Sequence, residues 1–237
     1  MKIAIMQPYF FPYLGYFDLF HNVDLFVVYD TVQYIRRGWI HRNRVLHQSG
    51  EGWQYIIVPT EKTPQKTPVL DVRILNDTLW QERLLSQLMH YKGKAPYADQ
   101  TIKFVRENLV IDELSLSRLN VHILARCASL LDLDFRYKFC SDLDIELDMV
   151  RSAEERILDL CEFFGAKEYV NLPGGVDLYH PEAFAARNIK LRFRNLPTFV
   201  YPTRSYIFEP HLSIIDVLMW NEPEVIKKYL DENRSEG

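Results

Sequence analysis

The chain opens with Lys2-Ile3-Ala4-Ile5-Met6-Gln7-Pro8, and Leu25-Phe26-Val27-Val28-Tyr29 follows shortly after. The first run is rich in strand-forming residues and stops at Gln7-Pro8, because proline cannot donate to a central ladder. The second is apolar on both faces, as a strand covered on both sides requires. Between them, residues 14–21 carry an apolar pattern suited to a short helix. Strand, loop, helix, strand is the opening of a parallel βαβ unit.

Working outward, the expected class is α/β, with a Rossmann-like parallel sheet in the N-terminal half and a more helical C-terminal half. Residues 39–45 and 53–58 read as further strands. Residues 59–68 hold three prolines and two lysines and read as an exposed loop. Helical patterns cover 79–91, 97–108 and 116–131, and a strand is expected at 135–139. Residues 152–164 form the best-signalled helix. Ser152 and Glu155 make a capping box, and Gly165 stands as the stop. A strand at 168–171 leads into a tight loop at Pro173-Gly174-Gly175. A helix at 180–188, a strand at 189–194, and helices at 212–219 and 222–230 complete the series. The tail from 231 to 237 reads as disordered. The whole chain, 1–237, is taken as a single unit, divided into an α/β half to about residue 75 and a helical-rich remainder to about 230.

A hydrophobic fraction of 48% is ample for a packed core, and a net charge of −4 gives no global drive toward nucleic acid or anionic membrane. Cys127, Cys140 and Cys161 are widely spaced, so neither a zinc site nor a redox pair is suggested, and no metal is expected. No signal-like stretch and no membrane-spanning run is evident, so a cytoplasmic protein is expected.

Aromatic residues make up 14% of the chain, and many sit beside proline or glycine rather than in core patterns. Tyrosine joins an apolar face to a hydroxyl, which suits a ligand pocket. The densest case is Gln7-Pro8-Tyr9-Phe10-Phe11-Pro12-Tyr13-Leu14-Gly15-Tyr16, at the carboxyl end of the first strand, where open parallel sheets bind ligands. Gln7, Tyr9, Tyr13, Tyr16 and Asp18 are candidates there, with Gly15 near the start of the following helix. A second group runs from Asp30 through Gln33 to Arg36, Arg37, Arg42, Asn43 and Arg44. Here Gln33, Arg42 and Asn43 are read as binding residues, while Arg37 and Arg44 are read as facing water. Arginine in such a group pairs with phosphate or carboxylate. Lys94, in Tyr91-Lys92-Gly93-Lys94, offers a further cation, although the spacing is not that of a phosphate-binding loop. The turn from Leu172 to Gly175 can bring backbone amides near a ligand or serve as a plain turn. His211, in Phe208-Glu209-Pro210-His211, is the last candidate.

The stretches IAIMQPYFFPYLGYFDLF, VVYDTVQYIRRGWIHRNRV, YKGKAPY, ERILDLCEFFGAKEYVN and FEPHLSIIDVLMWN resemble the WbqC-like protein family, over nearly the whole chain. That resemblance implies a place in bacterial O-antigen, lipopolysaccharide and other surface-polysaccharide biosynthesis, with transfer of glycine to a sugar. A fainter resemblance is to the nucleotidyltransferase and pantothenate synthetase group. In that group two histidines stand where this chain has Tyr13 and Tyr16.

Three readings stay open. The first is a transferase that forms an amide on an amino sugar, with Asp30 or Asp18 as general base and Gln7, Tyr9, Tyr16, Gln33 and Arg42 around the substrate. The second is an ATP-dependent carboxylate-activating enzyme. The third is a non-catalytic binder of nucleotide sugars. The expected partner is a small molecule, a nucleotide sugar or amino sugar. Nucleic acid is disfavoured, no membrane span is expected, and neither a cofactor nor an oligomeric state is indicated.

Overall fold

The computed structural model describes residues 1–75, 79–110, 112–145 and 151–234. The elements run β1 (Lys2–Met6), α1 (Leu14–His21), β2 (Leu25–Val28), β3 (Arg42–Leu46), β4 (Trp53–Ile57), α2 (Trp80–Leu88), α3 (Ala98–Leu109) and α4 (Leu116–Leu130). After these come β5 (Tyr137–Phe139), α5 (Ala153–Phe163), β6 (Glu168–Asn171), α6 (Pro181–Ala186), β7 (Lys190–Phe193), α7 (Ile214–Trp220) and α8 (Pro223–Glu232).

Five strands form one parallel sheet in the order β5-β2-β1-β6-β7. The α/β class and the parallel sheet are as expected, and the chain adds three strands to the opening βαβ unit after α4. Ile3, Ala4 and Ile5 of β1 are buried, as a central strand covered on both faces demands. In chain order the sheet grows from β1 through β2 to β5, then returns to the other side of β1 with β6 and β7. The direction reverses between β1 and β6. At such a point the loops leaving the two strands diverge, which opens a crevice at their carboxyl ends.

Strands β3 and β4 pair antiparallel in a hairpin of their own. The hairpin starts later than residue 39 because residues 37–41 turn: Arg37 has φ 62°, and the Ile40 carbonyl accepts from the Asn120 side chain at 2.7 Å. Its backbone is tied to the rest of the fold, with Ser213 N–H donating to the Arg44 carbonyl at 2.9 Å.

The capping box of α5 forms. Glu155 N–H donates to Ser152 Oγ at 3.1 Å, and Ser152 N–H donates to the Glu155 carboxylate at 3.0 Å. Gly165 follows with φ 60°, a conformation that glycine adopts without a Cβ clash. Pro173-Gly174-Gly175, expected as a tight loop, begins a 3₁₀ turn over Pro173–Leu178. The tail is ordered further than expected. α8 runs to Glu232, and Asp231 accepts from Lys227 at 3.0 Å and pairs with His21 at 2.8 Å. Residues 235–237 lie outside the described residues. Among the described residues no helix is long and apolar enough to cross a membrane.

Candidate functional site

A cleft of about 970 Å³ opens over the carboxyl ends of β1 and β6, where the sheet order reverses. Segment 7–15 forms one wall and the turn 171–175 after β6 another. Residues 194–199 after β7, residues 208–212 before α7, and Trp39 and Arg44 contribute further, as do Tyr29, Gln33 and Arg156.

Three buried side chains fix the loop after β1. Asn120 Nδ2 donates to the Pro8 carbonyl at 2.9 Å as well as to Ile40. Asn43 Nδ2 donates to the carbonyls of Phe10 and Phe11, both at 3.0 Å, and Ser213 Oγ donates to Phe11 at 2.7 Å. The loop needs these donors because a buried carbonyl without one is costly. They also hold Phe11 in the left-handed region, φ 39°. The hydroxyl of Tyr16 donates to the Gln7 carbonyl from below.

Of the residues singled out in the sequence, Gln7, Tyr9, Tyr13, Gly15, Gln33, Asn43 and His211 line the cleft. Both Asn43 amide hydrogens are committed to the loop, so it positions the wall. The remaining five do not line it. Tyr16 is wholly buried, its ring 5.2 Å from that of Tyr9. Arg42 lies over the Tyr55 ring at 4.1 Å and donates to the Arg37 carbonyl. Lys94 reaches the Tyr206 hydroxyl at 3.0 Å. Asp18 is on the buried face of α1 and ion-paired to Arg194. Asp30 is buried at the end of β2, where its carboxylate accepts from Ser141 N–H at 3.0 Å and Ser141 Oγ at 2.6 Å. Both aspartates are pushed up by burial and pulled back by these donors.

Residues 7–228 match the WbqC-like protein family. The chain belongs to that family. A relative from Mycobacterium tuberculosis (strain ATCC 25618 / H37Rv), the uncharacterized protein Rv1507c, is 29% identical over 223 residues, 92% of each chain. No solved structure matches.

In this WbqC-like chain the charged residues of the cleft lining, among the described residues, are Arg44, Arg156, Arg194 and Glu209, of which sequence reasoning singled out none for binding. Arg156 Nε donates to the Tyr29 hydroxyl at 3.1 Å. Arg194 and Asn171 stand immediately after β7 and at the end of β6, so the strand-end rule that picked out Gln7 would have found them too. Arg44 and Glu209 carried no such signal. Tyr9, Tyr13 and Tyr29 add phenols. Burial raises all three, and Tyr13 is pushed up to about 12, with Tyr9 and Asp18 adding to it. They are therefore neutral near pH 7 and available as hydrogen-bond donors. With Arg194 balanced by Asp18, Arg44 and Arg156 stand against one carboxylate, Glu209, among the described residues of the lining, and together with the apolar and phenolic walls they suit an anionic ligand with ring systems.

Proposed function

We propose that this WbqC-like protein transfers an acyl or aminoacyl group, glycyl in the simplest case, to the amine of a nucleotide-linked amino sugar in surface-polysaccharide assembly. The observation that carries this reading is the cleft at the reversal of the parallel sheet, large enough for a nucleotide sugar and lined by arginine and tyrosine. Family membership supports the glycan context.

In the transfer, the amine attacks the acyl carbon, a C–N bond forms, and the bond to the leaving group breaks. A base must take the amine proton. Among the described residues Glu209 is the one carboxylate of the cleft lining, and it takes that role here in place of Asp18 and Asp30, whose carboxylates are engaged elsewhere. The first turn of α1 at Gly15 offers N–H groups without intrahelical acceptors to the developing oxyanion. Reading the chain as an ATP-dependent activating enzyme is weaker, since Tyr16 is buried and its hydroxyl is taken by the Gln7 carbonyl.

The test is mass spectrometry of UDP- and dTDP-amino sugars incubated with the protein and activated acyl donors, including glycine with ATP, CoA thioesters and glycyl-tRNA. A sugar heavier by the acyl group is expected, with Glu209→Gln slower by roughly 10²–10⁴-fold. No product across the panel, or full turnover by Glu209→Gln, would sink the transferase reading or the base assignment respectively.

A further inference from the structure

We propose that Arg44 is the phosphate anchor of the cleft and that its ligand class is a nucleoside diphosphate. The inference rests on the reading of the cleft as a nucleotide-sugar site and names the residue that holds the charged part.

The side chain of Arg44 lies over two indoles, 5.2 Å from the Trp39 ring and 5.0 Å from the Trp53 ring. Contacts through its faces leave the in-plane N–H groups of a guanidinium free to donate, and two parallel donors match a phosphate. Those donors are poorly used within the protein. Nε is buried and has no partner, and Nη2 reaches the His211 carbonyl at a long 3.4 Å. Among the described residues no carboxylate pairs with Arg44. The other cleft arginines differ: Arg194 grips Asp18, and Arg156 donates to Tyr29 and to the Arg151 carbonyl.

The surroundings of Arg44 are held in place. Asn43 and Ser213 clamp Phe11, and His211, which takes the Nη2 bond, also has a left-handed backbone, φ 56°. Non-glycine residues held in that region concentrate at ligand sites. The chain also leaves indole surface exposed here. Trp39 and Trp53 are 38% and 39% exposed, whereas Trp80 and Trp220 are buried. Trp39 lines the cleft beside Arg44, so a base joined to an anchored phosphate has an aromatic surface within the same ligand. Free phosphate or a small carboxylate would use the arginine and leave the indole bare.

Two of the four tryptophans flank Arg44, so intrinsic fluorescence reports directly on this corner. The full chain is titrated with UDP, uridine and inorganic phosphate, with calorimetry in parallel. UDP is expected to change the emission saturably, with uridine and phosphate each binding at least about tenfold more weakly. Arg44→Gln should weaken UDP by about ten- to a hundredfold and leave uridine unchanged, and Arg44→Lys should fall between. Circular dichroism and melting temperature verify that both variants fold. Equal affinity of Arg44→Gln and wild type for UDP overturns the anchor while leaving the nucleotide-sugar cleft standing. Uridine binding as tightly as UDP overturns it too. Phosphate binding as tightly as UDP reduces the site to a simple anion site. Wild-type protein that ignores UDP in both measurements overturns the anchor and the nucleotide part of the functional reading together.

Discussion

Arg194 holds Asp18 through two hydrogen bonds, Nε to Oδ2 at 2.6 Å and Nη2 to Oδ1 at 2.7 Å. The pair ties the end of β7 to α1 beneath the cleft. The Asp18 side chain is fully buried and that of Arg194 is 11% exposed, so neither charge has water to fall back on. Asp18→Asn would leave a largely buried guanidinium without its counter-charge. A loss of about 3–5 kcal/mol is expected, read as a lower urea midpoint at unchanged slope. The double variant Asp18→Leu/Arg194→Met should recover most of it, because apolar replacement of a buried pair is often neutral. A single variant as stable as wild type would mean that the pair is not a structural tie.

Asn120 gives a second prediction. It sits on the buried face of α4 and donates to carbonyls on two different loops, Pro8 and Ile40. Asn120→Ala leaves both acceptors unpaired, a loss of about 2–6 kcal/mol at roughly 1–3 kcal/mol per group. Asn120→Asp is no remedy, since an ionised aspartate has no donor. Chemical denaturation of the two variants checks this, and both should also weaken ligand binding. A normal affinity in a variant that is clearly destabilised would show that the loop keeps its shape without this clamp.

The difference between Asn120 and Gln7 shows what could be read in advance. Gln7 follows an apolar run broken by proline, and that local pattern defines both the strand end and the cleft wall. The start of the sheet, the α1 boundaries and the α5 capping box were legible for the same reason, since each depends on neighbours in the chain. Asn120 acts across more than a hundred residues on Pro8, and nothing beside it in α4 signals a partner. Arg42 and Arg44 make the point at closer range. Two residues apart on one strand, they share a face by alternation, yet only Arg44 lines the cleft. Packing on Tyr55 in one case and on Trp39 and Trp53 in the other decides this, and those contacts are tertiary. Asp18 and Asp30 were chosen as bases by chemical type alone. Which carboxylate is engaged depends on distant Arg194 and Ser141.

Gly15 separates stability from binding. A Cβ built there would lie 2.5 Å from Tyr13 Cε2, so the Tyr13 ring must move. That ring lines the cleft and meets His211 edge-on at 5.8 Å. Alanine inside a helix is otherwise favoured over glycine by about 0.5–1 kcal/mol. Gly15→Ala should therefore change the melting temperature little while weakening cleft ligands, UDP first among those to try. Parallel thermal melts and titrations measure the two effects. Unaltered affinity would mean that the position of the Tyr13 ring does not matter to the ligand.

Asp216 supplies a pH dependence whose sign can be worked out. Its carboxylate is buried in α7 and accepts from Tyr91 and the Leu46 N–H on one oxygen, and from Tyr201 at 2.8 Å on the other. Burial raises the group from 3.8 to about 6, and the tyrosine donors pull it partly back. Between those values the folded chain holds a proton that the unfolded chain releases, so stability falls as pH rises. The contribution is full below the unfolded value and is lost as pH passes the folded one. A shift of about two units corresponds to about 3 kcal/mol. Asp18 and Asp30 are raised as well, and His41 and His90 are lowered to about 4, so the raw pH profile mixes several groups. Subtracting the profile of Asp216→Asn removes what the two proteins share. Urea midpoints from pH 4 to pH 7 should show wild type losing about 2–2.5 kcal/mol relative to the variant, most of it before pH 6.5, the remainder of the total being lost already below pH 4. A difference that stays constant with pH would mean that Asp216 keeps one protonation state throughout, and that its link to Tyr201 in the cleft wall is insensitive to pH.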